Sequence, residues 1–184
     1  METYDPAQVG KRIAWGRSHS VYRYGETEII KFPKLERWVW PKLRERIERD
    51  ISVCQKYFGE YLLDTRIVQD KVSGQIATIQ PYIVGHYLSK SDLADPELKR
   101  QFEDFLGRYD SMIRAGYGPV ELIGQGGVLK RCLSNVMVLP DKKLRLYDAV
   151  IMDTAYMGRW AFAIRLLARY VLRRQASTIR FLLA

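Results

Sequence analysis

The sequence predicts an α+β protein in which an antiparallel sheet is followed by a mostly helical part. Short runs rich in β-branched and aromatic residues, bounded by turn residues, fill most of the first 83 residues. A helical period of apolar residues separates the third run from the fourth and returns at 91–116 and 159–183. At 184 residues and 47% hydrophobic content, the chain can form one domain or two small lobes with a proper core.

Three antiparallel strands are predicted near the start of the chain, at residues 11–18, 20–24 and 27–32. Gly25 and Glu26 form a tight turn between the second and the third. The turn between the first two consists of small and polar residues whose backbone amides can point at phosphates: Gly16, Arg17, Ser18, His19 and Ser20. This pattern also fits a plain hairpin turn.

Lys31 is the single basic residue in the apolar run 28–33. If its side chain faces inward, it needs an anion or a carboxylate to offset the loss of hydration. If strand alternation turns it to solvent, it needs neither. The run by itself leaves both interpretations open.

A helix is predicted at residues 41–57, followed by two strands at 62–68 and 75–82. The apolar stripe of this helix consists of Leu43, Ile47, Ile51, Cys54 and Phe58. Two of its acidic residues, Glu45 and Glu48, lie off the stripe, and a third, Asp50, intrudes on it. Each acid is either a functional group or a solvated partner of the arginines nearby.

Two oxygen-bearing side chains are expected to meet at one end of a hairpin. Asn135 ends a loop and enters a strand at 136–139, a polar turn follows at 140–143, and a second strand at 144–147 leads to Asp148. Upstream, residues 91–116 form a capped helix with one apolar face. Two side chains able to bind a metal ion would then meet at one end of the hairpin.

The order of these elements resembles the protein kinase-like superfamily, and the short length resembles its minimal bacterial members. The resemblance implies an N-lobe at 1–83 and a reduced C-lobe at 84–184, with ATP and Mg²⁺ in the cleft. Lys31 would contact the α- and β-phosphates, while Asn135 and Asp148 would hold the metal. Residues 16–20 would cover the phosphates, and backbone groups where the fifth strand ends, at Gln80 and Tyr82, would hold adenine.

The resemblance also implies that an acid from the first helix orients Lys31. Glu48 fits the family pattern best, because Ile51 follows it by three residues. Asp50 and Glu45 are the alternatives.

The chain departs from the family pattern at its catalytic loop. Lys130 stands five residues before Asn135, where the family has its catalytic aspartate, and Asp148 is followed by Ala149 and Val150 instead of Phe and Gly.

These departures leave three candidate functions open. The chain is an ATP-dependent phosphotransferase in which Lys130 stabilises the transferring phosphate, an AMP transferase, or an inactive pseudokinase scaffold. For the first, the expected acceptor is a protein hydroxyl or a phosphorylated sugar of the lipopolysaccharide core.

The net charge of +9 favours an anionic or hydroxyl-bearing acceptor. The last helix carries a row of arginines that is either a solvated face or a contact with an acidic membrane: Arg159, Arg165, Arg169, Arg173 and Arg180. Nucleic acid is not the expected partner, since no nucleic-acid motif is present.

The polar N-terminus and the two isolated cysteines predict a cytoplasmic protein, peripheral to the membrane at most, with free thiols.

Overall fold

The computed structural model describes residues 2–15, 19–34, 42–123, 132–152 and 162–184. By its contacts the chain divides into two compact units. The first consists of Met1–Arg49 and Leu63–Ile83, and the second of Asp50–Leu62 and Val84–Ala184. Residues 50–62, which the sequence analysis assigns to the first domain, thus belong to the second unit.

The first unit is built on a five-stranded antiparallel sheet, as predicted. Its strands lie in the order β1-β2-β3-β5-β4. Glycines with positive φ, Gly25 and Gly74, form the turns that join β2 to β3 and β4 to β5. The bounds are β1 Val9–Trp15, β2 His19–Tyr24, β3 Glu28–Pro33, β4 Arg66–Gln69 and β5 Ile76–Pro81.

The two faces of this sheet differ in character. One face carries the apolar cluster of the unit, in which Ile30 and Ile79 are paired across β3 and β5 and Tyr4 packs on the sheet from the N-terminal segment. Because side chains alternate along a strand, Lys31 lies on the opposite face with its cross-strand neighbours Val21 and Thr78. Lys31, Thr78 and Gln80 therefore share one face of the sheet.

The helix α1, Leu43–Phe58, follows β3 as predicted, and the remaining elements belong to the second unit. These are β6 His86–Leu88, α2 Pro96–Arg114, β7 Leu133–Val138, β8 Leu144–Leu146 and α3 Phe162–Leu183. Asp95 caps α2 by accepting hydrogen bonds from the amides of Glu97 and Leu98. No helix in the described part of the chain is long and apolar enough to cross a membrane.

The second unit also contains a three-stranded antiparallel sheet in the order β6-β7-β8. The β7–β8 hairpin is predicted by the sequence, whereas β6 is not. His86 and Tyr87 are exposed and only Leu88 is buried, so this strand of three residues carries no alternating pattern.

The core of the second unit packs α1 and α2 against this sheet. Phe58 and Phe105 stack with their ring centroids 4.8 Å apart, and Tyr61 meets Phe105 edge to face. Cys54 and Cys132 are both buried thiols that form no disulfide with each other, as the sequence predicts.

Candidate functional site

Asn135 lies inside a strand, where it is the third residue of β7, and not at the end of a loop as expected. Its amide donates to the carbonyl of Leu122 at 3.1 Å, and its carbonyl accepts from the amide of Tyr147 at 3.2 Å. Backbone pairing on both sides therefore extends the strand upstream of the predicted boundary.

The side chain of Asn135 is buried and held in one orientation. Its Nδ2 donates to the backbone carbonyl of Glu121 at 2.7 Å. A backbone carbonyl can only accept, so this hydrogen bond identifies the nitrogen of the carboxamide. The Oδ1 of the group then points away from Glu121, and a carboxamide oxygen is a suitable ligand for a hard cation.

Asp148 lies at the same end of the hairpin as Asn135. Val136 pairs with Leu146, and Asn135 bonds Tyr147, so Asp148 is one residue beyond the last pair. Burial raises the pKa of the Tyr147 phenol, and the nearby Asp148 carboxylate raises it further. Burial likewise raises the pKa of the Cys54 thiol, with added contributions from Asp50 and Asp148. Asp148 therefore lies close to both the Tyr147 phenol and the Cys54 thiol.

The donors at this end of the hairpin fit Mg²⁺. Among the described residues no group of three His, Cys, Asp or Glu side chains forms a metal cluster. Magnesium usually binds proteins through one or two carboxylates and completes its shell with substrate phosphates and water. One carboxylate from Asp148 and one amide oxygen from Asn135 match that pattern, whereas a structural metal needs more protein ligands.

The acid predicted to orient Lys31 lies elsewhere. Glu48 is 45% exposed and binds Arg44 one turn earlier on α1 at 2.8 Å, so it does not pair with Lys31 in this structure. The alternative acid, Asp50, is 2% exposed and accepts a hydrogen bond from the amide of Ile151 at 3.2 Å. The apolar stripe of α1 explains the difference, because Asp50 lies on that stripe and Glu48 does not.

Lys31 is 4% exposed and faces inward, which decides between the two interpretations of its strand. Thr78 and Gln80 on β5 share its face of the sheet and are also buried. An ammonium group at so low an exposure is stable only where polar or charged groups replace its water.

Gln80 presents a fixed side chain on this face. The Thr65 hydroxyl donates to the carbonyl of Leu63 at 2.9 Å, so it must accept at 2.7 Å from Gln80, and the donor is Nε2. The opposite atom, Oε1, is buried and has no hydrogen-bond partner in the described part of the chain. Gln80 is thus a buried acceptor whose direction is set by its neighbour.

Tyr82 differs from its expected role at the end of β5. Its amide donates to the carbonyl of Thr27 at 2.7 Å, and the guanidinium of Arg23 lies 3.4 Å from the centroid of its ring. Because the β2–β3 turn already occupies this amide, an adenine bound there would need other donors.

Several predicted residues fall outside the described part of the chain: Gly16, Arg17, Ser18 and Lys130. His19 and Ser20 open β2. Ser20 lines a surface pocket of about 330 Å³ together with Tyr22, Phe32 and Lys34. Tyr22 and Phe32 belong to the apolar face of the sheet, so this pocket lies opposite Lys31.

Of the comparisons with known proteins, only the one with solved structures bears on the fold. No protein-family model matches the chain, and no curated protein matches it. Among solved structures, the chain is similar to the Legionella pneumophila Lpg2603 kinase bound to IP6, with a TM-score of 0.55 and 17% sequence identity. The fold is similar to that of this kinase. The match covers 94% of this chain and 58% of the Legionella protein, so this chain spans little more than half of that neighbour's length.

Two residues that sequence reasoning missed support Asn135. Glu121 supplies the carbonyl that orients the side chain, and Gln175 on α3 bonds the backbone on both sides of Glu121. Only Gln175 carries a signal in the sequence, since it is a polar residue on the apolar stripe of the last helix.

Proposed function

We propose that the chain is an ATP- and Mg²⁺-dependent phosphotransferase of minimal kinase-like fold. The observation that carries the proposal is the pair at the end of the β7–β8 hairpin, where the oriented carboxamide of Asn135 lies beside Asp148. The similarity to a kinase over nearly the whole chain supports it.

In this proposal Asn135 and Asp148 hold Mg²⁺, and Lys31 neutralises the α- and β-phosphates of ATP. The metal would offset the charge that develops on the phosphoryl group as it passes to an acceptor hydroxyl and ADP leaves. Phosphoryl transfer depends mainly on such positioning and charge neutralisation, so a strong base at the position of Lys130 is not essential. The burial of Lys31 supports its part, because a lysine in this role faces inward from its strand.

The acid of α1 belongs to the same proposal. Asp50 replaces Glu48 in this proposal as the functional acid of α1, because its carboxylate is buried and accepts a hydrogen bond from the backbone three residues beyond Asp148. A charge held in this way keeps its position without cost at the moment of reaction.

The test is transfer of label from ATP carrying either an α- or a γ-labelled phosphate. Wild type is compared with Asp148→Asn, which keeps the size of the side chain but removes the charge, and with Asp141→Asn in the exposed turn of the same hairpin. Label from γ-ATP alone, lost in Asp148→Asn and kept in Asp141→Asn, is the expected result.

Two other results would contradict the proposal. Label from α-ATP would identify an AMP transferase on the same fold. No label from either, together with stabilisation of the protein by ATP, would identify an inactive scaffold. Candidate acceptors in each assay are the protein itself, a generic hydroxyl-rich protein and a phosphorylated core oligosaccharide.

The assay is run with and without IP6, because the similar Legionella kinase is bound to IP6 and this chain carries a net charge of +9. Either a gain or a loss of transfer on adding IP6 would assign that ligand to this chain as well.

A further inference from the structure

The last helix carries a buried polar residue at the centre of its apolar stripe. The stripe consists of residues three and four positions apart: Ala168, Val171, Gln175, Thr178 and Leu182. Gln175 is 2% exposed, and a primary amide in such surroundings is costly unless its hydrogen bonds are made.

Gln175 makes three hydrogen bonds to two other segments of the second unit. Its Oε1 accepts from the amide of Leu122 at 2.8 Å, and its Nε2 donates to the carbonyl of Val120 at 3.0 Å and to the hydroxyl of Tyr109 at 3.0 Å. Burial raises the pKa of Tyr109 to about 12, so this phenol is neutral and can accept. The amide is therefore satisfied in one orientation only.

The segment held by Gln175 is the one that orients Asn135. Val120 and Leu122 flank Glu121, whose carbonyl accepts from Asn135 Nδ2, and the carbonyl of Leu122 accepts from the Asn135 amide. The same segment pairs with the residues that follow Asp148, since the Glu121 amide donates to the carbonyl of Val150 at 2.9 Å. One buried side chain thus fixes the backbone beside both candidate metal ligands.

We propose that Gln175 is a positioning residue for the metal site. It fixes residues 120–122, these fix the carboxamide of Asn135, and the Oδ1 of Asn135 is thereby held towards Mg²⁺. The inference rests on the proposed function, because the metal concerned is that of Mg·ATP. It gives the C-terminal helix a role in the reaction, besides its contribution to the core.

The test uses Gln175→Met, which keeps the length of the side chain but makes none of the three hydrogen bonds. Thr178→Val is the matched control one turn further along the same stripe. The Thr178 hydroxyl is buried without a hydrogen-bond partner among the described residues, so its removal leaves the network intact. The probe is Mn²⁺, followed by electron paramagnetic resonance in the presence of a non-hydrolysable ATP analogue, with nucleotide binding in EDTA measured alongside.

We expect Gln175→Met to weaken Mn²⁺ binding about 10- to 100-fold, the usual effect of removing a group that orients a metal ligand. Binding of the nucleotide in EDTA stays as in wild type, and Thr178→Val matches wild type in both measurements. In an Asn135→Ala background, Gln175→Met has no further effect on Mn²⁺, because the ligand it positions is gone.

Wild-type Mn²⁺ affinity in a folded Gln175→Met variant would overturn the inference, as would an effect that simply adds to that of Asn135→Ala. If Gln175→Met does not fold, Tyr109→Phe removes one of the three anchors and must give a smaller shift that also vanishes with Asn135→Ala. Failure of wild type itself to bind Mn²⁺ with the analogue would overturn the proposed function, and this inference with it.

Discussion

The carboxylate of Asp50 accepts a hydrogen bond from the backbone amide of Ile151 at 3.2 Å, between residues 101 positions apart in the sequence. Ile151 lies three residues after Asp148. The carbonyl of the preceding residue, Val150, accepts a hydrogen bond from the amide of Glu121, which belongs to the segment that orients Asn135. One acid of α1 is therefore attached to the backbone that carries the candidate metal ligand. Asp50 can therefore contribute to the site in two ways, through this hydrogen bond and through the charge of its carboxylate.

Substitution of Asp50 tests these two functions separately. Asp50→Ala leaves the Ile151 amide buried without its acceptor and should lower the free energy of unfolding by about 1–3 kcal/mol. Asp50→Asn retains an acceptor and should unfold nearly as wild type does, yet lose most of the label transfer if the charge is required. Glu48→Gln should keep both, since the Glu48 carboxylate is exposed and an exposed pair of this kind contributes little. Loss of transfer in Glu48→Gln but not in Asp50→Asn would restore the assignment made from the sequence.

The choice between Glu48 and Asp50 shows where prediction from the sequence ends. The succession of strands along the chain, the helix after β3 and the β7–β8 hairpin depend on local periodicity and turn residues, so they are predicted within a few positions. Burial of a given acid depends on groups far along the chain, such as Ile151. The position of Asp50 on the apolar stripe of α1 indicates from the sequence that this acid is buried. It does not indicate which group binds the Asp50 carboxylate.

Asn135 illustrates the same limit at the site itself. Its residue type and its spacing from Asp148 indicate a metal ligand, because those features are local. Its place inside β7 depends on pairing with residues 121 and 122, which carry no strand pattern of their own. The contribution of Gln175 is even less predictable from local pattern, since its partner Leu122 is 53 residues away.

Substitution of Gln80 tests whether its buried acceptor recognises the base of the nucleotide. Adenine carries an amino group that can donate to Oε1, whereas guanine carries an acceptor at the same place. If the proposed function holds, Gln80→Met should reduce the preference for ATP over GTP about tenfold, as expected for one hydrogen bond to a buried group. The measurement is competition between the two nucleotides in thermal stabilisation and in transfer.

Thr65→Val is the companion variant, because it removes the hydroxyl that sets the direction of the Gln80 amide. It should reduce the preference in the same direction but less. An unchanged ratio of ATP to GTP in Gln80→Met would show that this side chain does not face the base.

The N-terminal cap of α2, Asp95, should make the stability of the protein depend on pH. A hydrogen bond from Lys142, with others from the amides of Glu97 and Leu98, lowers the pKa of the Asp95 carboxyl. A lowered folded pKa means that this contribution is complete above the ordinary carboxyl pKa of about 3.9 and is lost as the pH falls through the folded value. Asp95→Asn keeps a capping group without the charge, so it should be less stable than wild type at neutral pH and equally stable in strong acid.

Urea titrations of both proteins across this range give the difference directly. Lys142→Gln should reproduce most of the loss at neutral pH, and added salt should reduce it, because the ion pair is exposed. A difference between wild type and Asp95→Asn that stays constant from neutral pH into strong acid would contradict the prediction.

Substitution of Gly85 tests how closely the start of β6 packs on the backbone of β7 in the second unit. A Cβ atom added at Gly85 would lie 2.5 Å from the carbonyl oxygen of Val138, a backbone atom of β7 that cannot turn aside. Gly85→Ala should therefore destabilise the protein by about 1–3 kcal/mol, the usual cost of overpacking. Gly107→Ala on the exposed face of α2 meets no atom within 4 Å and should instead stabilise by about 0.5–1 kcal/mol, because alanine favours a helix over glycine. Equal free energies of unfolding for Gly85→Ala and wild type, measured with urea, would mean that β6 does not pack on Val138 as closely as described.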